Sequence, residues 1–429
     1  MCGICGFTGY RQDQKTVIER MMKAIEHRGP DSEGSFCREK ITLGFRRLSI
    51  IDLEDGQQPM ESADGNLHIV FNGEIYDYKE LRAELETFGI SFCTHSDTEV
   101  LVNTLQQYGE KALDKLRGMF GFAVWNEQEQ SLMLARDFFG IKPVYYAEID
   151  GHFVFASEIK SILAFPGYER KVNQKALEQY LSFQYSPLEE TFFKGIYKLM
   201  PGHMLLYKNG SYEIKTYFKP KLTPGQWDYK TNVAQLRSQL SEILKDSVKH
   251  HMLSDVEVGA FLSGGVDSGY LASSSGADQA FTVGFDEGDR YSEVNKAAKV
   301  AEKAGLKHHV KIISKQEFWD ALPDVMYHMD EPLGDASAVA LYFLSKEAAG
   351  HVKVVLSGEG ADELFGGYNI YREPEALKKV AWIPFVLRRA VRKLAAKLPD
   401  VKGRDFLIRA GMKVEERFIG NAYIYCEKE

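Results

Sequence analysis

The sequence predicts a layered α+β half followed by an α/β half built on a doubly wound parallel sheet. Its first two hundred residues hold many short apolar or aromatic runs bounded by Gly, Asp or Asn, with few helical periodicities between them. Beyond about residue 230 the pattern becomes a regular strand–helix alternation. At 429 residues the chain is also about three times a typical domain length, so at least two domains are expected.

In the first half, strands are expected at 41–46 (ITLGFR), 67–71 (LHIVF), 121–125 (GFAVW), 131–135 (SLMLA) and 152–156 (HFVFA). Apolar residues at helical spacing place helices at 77–88 and 97–107. The polar, Pro- and Gly-containing stretch at about 208–230 marks the boundary, giving domains at 2–210 and 230–429. Past it, strand 257–262 leads into a helix, strand 281–285 into helix 291–305, and strand 309–313 into helix 315–328. A helix at 337–349 precedes strand 352–356. Ligands of such sheets lie beyond the carboxyl ends of the strands. The stretch 372–404 holds ten Lys or Arg against three Asp or Glu, and reads as a pair of amphipathic surface helices rather than a face for a membrane or an anionic partner.

Composition removes several classes of function. With 44% hydrophobic and 27% charged residues the chain can bury enough surface to fold, which excludes wholesale disorder. A net charge of −8 disfavours a general nucleic-acid binder. No apolar run approaches a bilayer span, and MCGICGFTGYRQDQ lacks the basic start and apolar core of a secretory signal. Five cysteines (Cys2, Cys5, Cys37, Cys93, Cys426) are few and odd in number, so a reducing cytoplasm fits better than a disulfide framework.

Cys2 directly follows the initiator Met. Removal of that Met would leave a thiol and a free α-amine on one residue, and an amine with an ordinary pKa of about 7.7–8.0 can serve as base to its own nucleophile. CGIC could instead be a redox pair or half a zinc site, although no second CxxC supplies the missing ligands. RGPD (28–31), RRLSIID (46–52), FNGEIYDY (71–78) and HSDTEVL (95–101) follow in order. Together these resemble the glutamine amidotransferases of the N-terminal-nucleophile class. The resemblance implies an αββα layering and thiolate attack on the side-chain amide of glutamine. It implies that Arg47 pairs with the glutamine α-carboxylate, that Asn72 and the Gly73 N–H form an oxyanion hole, and that Glu74 and Asp97 hold the α-ammonium. The residue chemistry agrees: a bidentate Arg suits a carboxylate, two acids suit an ammonium, and an amide donor suits an oxyanion. Read locally, Asn72-Gly73 after a strand is a hairpin turn. Phe45 stands where many members of that class have His, and it is given no role.

In the second half, SGGVDS (263–268) joins a strand to a helix: its glycines let backbone close on an anion, and its serines add hydroxyl donors at a helix N-terminus. It lacks the Lys of GxxxxGK[ST] and is not GxGxxG. SGEGADELFGGY (357–368) follows the next strand and brings Glu359, Asp362 and Glu363 within five residues. Acids beside a phosphate site imply Mg²⁺, with Asp267 and Asp362 as its ligands. The two motifs resemble the PP-loop ATP pyrophosphatases, which cleave ATP between its α and β phosphates and adenylate a carboxylate. The resemblance implies that Leu262, Val283, Ser357 and Gly358 line the nucleotide pocket, that Ser263, Gly264, Gly265 and Ser268 cradle pyrophosphate, and that Glu359 is the acid serving the acyl-adenylate.

A glutaminase followed by a PP-loop domain, with FGIKPVYY (139–146), ASEIKSIL (156–163) and MPGHMLLY (200–207), resembles the glutamine-hydrolysing asparagine synthetases along essentially the whole chain. Glutamine, aspartate and ATP are then the expected partners, with Mg²⁺ and no organic prosthetic group. Neither nucleic acid nor membrane is expected, and a homodimer is compatible with the reading. The family's synthetase domain continues further and carries a Lys-containing segment with no counterpart before YIYCEKE (423–429), so the chain is expected to be a fragment or a short form. A short form could keep glutaminase activity while losing synthesis. Within the same architecture the alternative is an amidotransferase acting on a carboxylate other than aspartate, although a β-lactam synthetase needs no ammonia; a silent sensor would not keep Cys2, Asn72 and Asp267, and a phosphoribosyl transferase would not carry SGGVDS.

Overall fold

Two antiparallel sheets of six strands fill the first half of the chain among the residues the computed structural model describes, 1–221, 232–286, 293–399 and 401–417. Their strands are β1 (Gly3–Thr8), β2 (Ser32–Cys37), β3 (Ile41–Arg47), β4 (Met60–Glu61), β5 (Leu67–Ile75), β6 (Gly118–Asn126), β7 (Ser131–Arg136), β8 (Tyr145–Ile149), β9 (His152–Ala156), β10 (Ile196–Lys198), β11 (His203–Lys208) and β12 (Ser211–Thr216). One sheet runs β10-β8-β9-β1-β3-β2 and the other β12-β11-β7-β6-β5-β4.

Side-chain alternation sorts the core into three layers. Ile4, Leu43, Phe45 and Phe155 of the first sheet meet Val70, Ala123, Leu134 and Leu205 of the second. Cys5, Phe7 and Val154 turn the other way, under helices Gln14–Ala24 and Ile159–Leu163. Ile69 and Phe71 pack beneath helices Tyr78–Glu86 and Asp97–Tyr108. Helix, sheet, sheet and helix is the αββα layering. Each fully buried Phe or Ile contributes roughly 1.5–3 kcal/mol to it.

Two local expectations change. Asn72-Gly73 is not a turn: it lies inside β5, where Asn72 faces Gly121 and Gly73 faces Phe120 on β6. A Cβ on Gly73 would sit 2.2 Å from the Met119 carbonyl, so Gly is required by close strand approach. The sheet also runs past residue 210, because β12 pairs with β11 through Thr216. Residues 222–231 of the expected boundary lie outside the described residues.

The second half contributes β13 (Val258–Phe261), β14 (Gln279–Phe285), β15 (Lys307–Ile313) and β16 (Val354–Leu356), all parallel, in the order β15-β14-β13-β16. The chain steps outward from β13 to β15 and returns to β13's other side with β16, so the order reverses beside β13. Helix Val294–Ala304 matches expectation, with residues 291–292 outside the described residues. The helix expected at 315–328 is two, Lys315–Asp320 and Leu322–Met329. Pro323, in the first turn of the second, has no N–H to continue the first.

The chain divides into compact units at Met1–Leu356 and Ser357–Glu429. Within the first, the parallel-sheet half is fastened to the antiparallel half by polar contacts. Asp255 accepts the Asp52 N–H at 2.8 Å and donates its own N–H to the Ile50 carbonyl at 3.0 Å. Lys353 reaches Asp31 at 2.6 Å, and Asp330 pairs with Lys160 at 3.0 Å. In the second unit, helices Phe385–Ala395 and Arg404–Ala410 pack together, Arg388 donates to the Ala410 carbonyl at 3.1 Å, and Arg409 pairs with Glu373. The basic stretch is thus helical, as expected. Cys426 and 423–429 lie outside the described residues.

Candidate active site

Cys2 stands immediately before β1, at the edge of the layer between the two sheets. Cys5, three residues on, points to the opposite face of the strand and is fully buried under helix Gln14–Ala24. Strand geometry therefore separates the two thiols, which removes the redox-pair and zinc readings of CGIC. Burial pushes the Cys5 thiol up to about 12.

A cleft opens at Cys2, and Arg47, Gly73, Glu74 and Asp97 all line it. The Leu48 N–H donates to Cys2 Sγ at 3.4 Å. Burial raises the thiol's pKa, and the Leu48 N–H and the adjacent α-amine oppose that rise. Arg28 fixes the nucleophile's backbone, donating from Nε to the Cys2 carbonyl at 2.8 Å. Met1 precedes Cys2, and its buried α-amine is pulled down to about 5, mainly by desolvation.

Arg47, at the end of β3, donates to the Leu53 and Ile51 carbonyls at 3.2 and 3.3 Å and also meets the Asp52 carbonyl. The loop 51–53 thereby holds the guanidinium at the cleft. Asp97 opens helix Asp97–Tyr108, whose N-cap Ser96 accepts the Thr98 N–H at 3.2 Å. Its carboxylate accepts the Ile75 N–H at 3.0 Å. Burial outweighs these donors and raises Asp97 to about 6. Glu74 is also held well above the carboxylate range, by burial first and by Asp97 second. Two buried acids therefore share one wall of the cleft with Arg47, a charge pattern that complements a zwitterion.

Asn72 is two residues beyond Val70 on β5 and so faces the layer against which Cys2 packs. Its side-chain Nδ2 is buried and has no hydrogen-bond partner among the described residues. Three further residues were not read from the sequence. Gln58 locks the cleft wall, donating to the Phe71 carbonyl at 3.2 Å and to Thr98 Oγ1 at 3.0 Å while accepting the Phe71 N–H. Lys142 is buried, held down to about 8 by desolvation, and reaches Met1 Sδ at 3.0 Å. Arg28 lies inside the RGPD motif, yet nothing in that motif announces its bond to Cys2.

In the parallel-sheet half, Ser263–Ser268 leaves the carboxyl end of β13 and enters helix Val266–Ser274. Ser263 and Ser268 hydroxyls bond at 2.9 Å, Ser268 Oγ accepts the Ser263 N–H at 3.2 Å, and Ser263 Oγ accepts the Gly265 N–H at 3.3 Å. Gly264 sits at φ +78, and a Cβ there would meet Lys296 Cβ at 2.8 Å. Gly265 caps the helix with no side chain, so the loop is open at the helix N-terminus. Leu262 is buried at the foot of the loop and Val283 is half-buried on β14. Asp267, in the helix's first turn, is exposed. Ser357, Gly358, Glu359 and Asp362 belong to the second compact unit, in the loop before helix Ala361–Phe365 and in its first turn. Glu359 is exposed there.

The family model described as "Glutamine amidotransferase domain" matches residues 1–218, and that described as "Asparagine synthase" matches residues 239–416. Asparagine synthetase [glutamine-hydrolyzing] 1 of Bacillus subtilis is 44% identical over 99% of this chain and 68% of its own length. A putative asparagine synthetase [glutamine-hydrolyzing] of Mycobacterium bovis is 38% identical over 98% of this chain and 69% of its length. A second putative enzyme of that name, from Methanocaldococcus jannaschii, is 34% identical over 94% and 82%.

Proposed function

The chain belongs to the glutamine-hydrolysing asparagine synthetase family, and from that premise we propose how its own residues carry out ATP-dependent synthesis of asparagine from aspartate and glutamine. The supporting observation is the cleft that brings Cys2 beside Arg47, Glu74 and Asp97. It joins a nucleophile to the charges that recognise an amino acid's two ends.

With Met1 removed, the α-amine belongs to Cys2 itself. A buried amine is largely neutral near pH 7 and accepts the thiol proton directly. The thiolate attacks the side-chain carbonyl of glutamine, Asn72 Nδ2 and the Gly73 N–H hold the oxyanion, and collapse expels ammonia. Water then cleaves the thioester to glutamate and frees Cys2. Arg47 holds the substrate's α-carboxylate, and Glu74 with Asp97 holds its ammonium.

Ser263, Gly264, Gly265 and Ser268 cradle the phosphates of ATP, while Leu262 and Val283 line the nucleotide. The aspartate β-carboxylate attacks the α-phosphorus to give β-aspartyl-AMP and pyrophosphate. Ammonia then displaces AMP, leaving asparagine, with Glu359 serving that centre. Asp267, an exposed carboxylate, and Asp362 are each suited in type to Mg²⁺, which would offset phosphate charge. The glutaminase and synthetase domains join between Thr216 and Asn232, and an enclosed transfer keeps ammonia from protonation by water.

Separate quantification of glutamate and asparagine, with glutamine, aspartate, ATP and Mg²⁺, tests the scheme. Cys2→Ala should abolish both products from glutamine, and added ammonia should restore asparagine. Glutamate production by Cys2→Ala at the wild-type rate would refute the nucleophile.

A further inference from the structure

His309 on β15 and Glu347 and His351 at the end of helix Ser337–Ala349 form a cluster outside the proposed catalytic chemistry, with one donor atom of each within 4.8 Å of the other two. The two imidazoles lie 4.0 Å apart between centroids, and His351 Nε2 is 3.7 Å from Glu347 Oε1. His309 is set in place from behind. Its ring stacks on the fully buried Phe281 at 5.0 Å, with 17° between planes.

The tautomer of His309 follows from its neighbours. The Gln279 amide nitrogen donates to Glu257 Oε1 at 2.7 Å, and a carboxylate can only accept, so Gln279 Oε1 is the atom that faces His309. At 2.8 Å that oxygen accepts the His309 Nε2–H, which leaves Nδ1 with a bare lone pair. A carboxylate and an amide behind a histidine supply the outer-shell support typical of metal-ligating imidazoles.

We propose that His309, Glu347 and His351 form a binding site for a borderline divalent metal ion, Zn²⁺ by preference, which clamps β15 to the end of helix Ser337–Ala349. Two imidazoles and a carboxylate with a fourth position open to water match the ligand preferences of zinc and not those of Mg²⁺. Tetrahedral ligands about 2.0–2.1 Å from zinc are separated by roughly 3.3 Å. The donors need to close by about 1.5 Å, which falls to exposed His351 and half-exposed Glu347 rather than to His309. The site is distinct from the proposed Mg²⁺ ligand Asp267. The helix bearing Asp267 packs with Ala260 and Ala280, whereas Phe281 turns to the opposite face with Ala348 and Val352.

The test is a titration of the metal-stripped, thiol-reduced full chain with Zn²⁺ alone against a chromophoric chelator, alongside its thermal midpoint. The wild type should take up one tight equivalent and melt at a higher temperature with it. His351→Ala, an exposed change that leaves the fold intact, should weaken binding by about tenfold or more and lose the thermal shift. Co²⁺ substitution should give a tetrahedral visible spectrum without a thiolate charge-transfer band. Unchanged affinity in His351→Ala, no tight equivalent in the wild type, or loss of binding in Cys93→Ser instead would each overturn the site.

Discussion

A buried amide with nothing to bond costs roughly 1–3 kcal/mol, and Asn72 Nδ2 is in that position among the described residues. The arrangement makes sense when the donor is aimed at charge that develops only during reaction. Asn72→Ala should therefore lower kcat for glutamine hydrolysis by about 10²–10³-fold, corresponding to about 2.7–4 kcal/mol, with a much smaller change in KM. Its thermal midpoint should not fall below wild type, because no ground-state hydrogen bond is lost. A change confined to KM would contradict the oxyanion role. At this scale the sequence was legible where a residue's chemistry suffices: Arg47, the acids Glu74 and Asp97 and the thiol at position two, picked out from their motifs, all line one cleft. It was opaque where a residue acts by three-dimensional placement. Gln58, Lys142 and Arg28 look like ordinary surface polar residues in the chain, and only folding buries them against Phe71, Met1 and Cys2.

Helix Asp97–Tyr108 shows how an element tunes one of those residues. Its capped N-terminus delivers Asp97 with backbone donors around it, yet complete enclosure still raises the carboxyl to about 6. The sign follows directly. A folded pKa above the ordinary 3.8 means the unliganded protein loses stability as pH rises from about 4 to about 6, where the folded state must give up its extra proton. Glutamine's ammonium favours the ionised acid, so binding must displace that proton below about pH 6. The KM for glutamine should be flat from pH 7 to 8 and rise about tenfold by pH 5, and Asp97→Asn should remove the step while weakening binding throughout. Glutaminase kinetics across that range decide it, and a flat KM down to pH 5 would sink the idea. Elements were legible where periodicity was clean, as at β3, β7 and helix Ser337–Ala349. They were missed where glycines break up a short apolar run, as Gly3 and Gly6 do in β1, and where one helical pattern ran through Pro323. At Asn72-Gly73 a turn signal lost to strand packing, since the absent Cβ of Gly73 admits β6 rather than a reversal.

Between the antiparallel half and the parallel sheet, ion pairing links the nucleophile to the other half of the same compact unit, and no composition or motif foretold it. Arg28 bonds the Cys2 carbonyl at 2.8 Å and Glu158 at 2.7 Å, Glu158 pairs with Lys160, and Lys160 pairs with Asp330 at 3.0 Å. Burial works against the Glu158 charge, but His27, Arg28 and Lys160 together hold its carboxyl well below the usual range. Asp330 also accepts the Ile159 N–H at 2.7 Å, from a backbone at the positive φ of 62 that Asp and Asn adopt more often than most residues. Lys160 and Asp330 side chains are each 8% exposed, so this pair is not the screened surface kind. Asp330→Asn keeps the backbone preference and one acceptor oxygen while removing the charge. Losing one partner of a buried pair costs on the order of 3 kcal/mol, and the loss here falls where the two halves meet. The variant should melt several degrees lower and still hydrolyse glutamine, but the asparagine formed per glutamate should fall, with ammonia-dependent synthesis less affected. Asp330→Ala, which also removes the acceptor for Ile159, should be worse on both measures. If Asp330→Asn melts lower with an unchanged asparagine-to-glutamate ratio, the chain of charges fastens the two halves without coupling their chemistry.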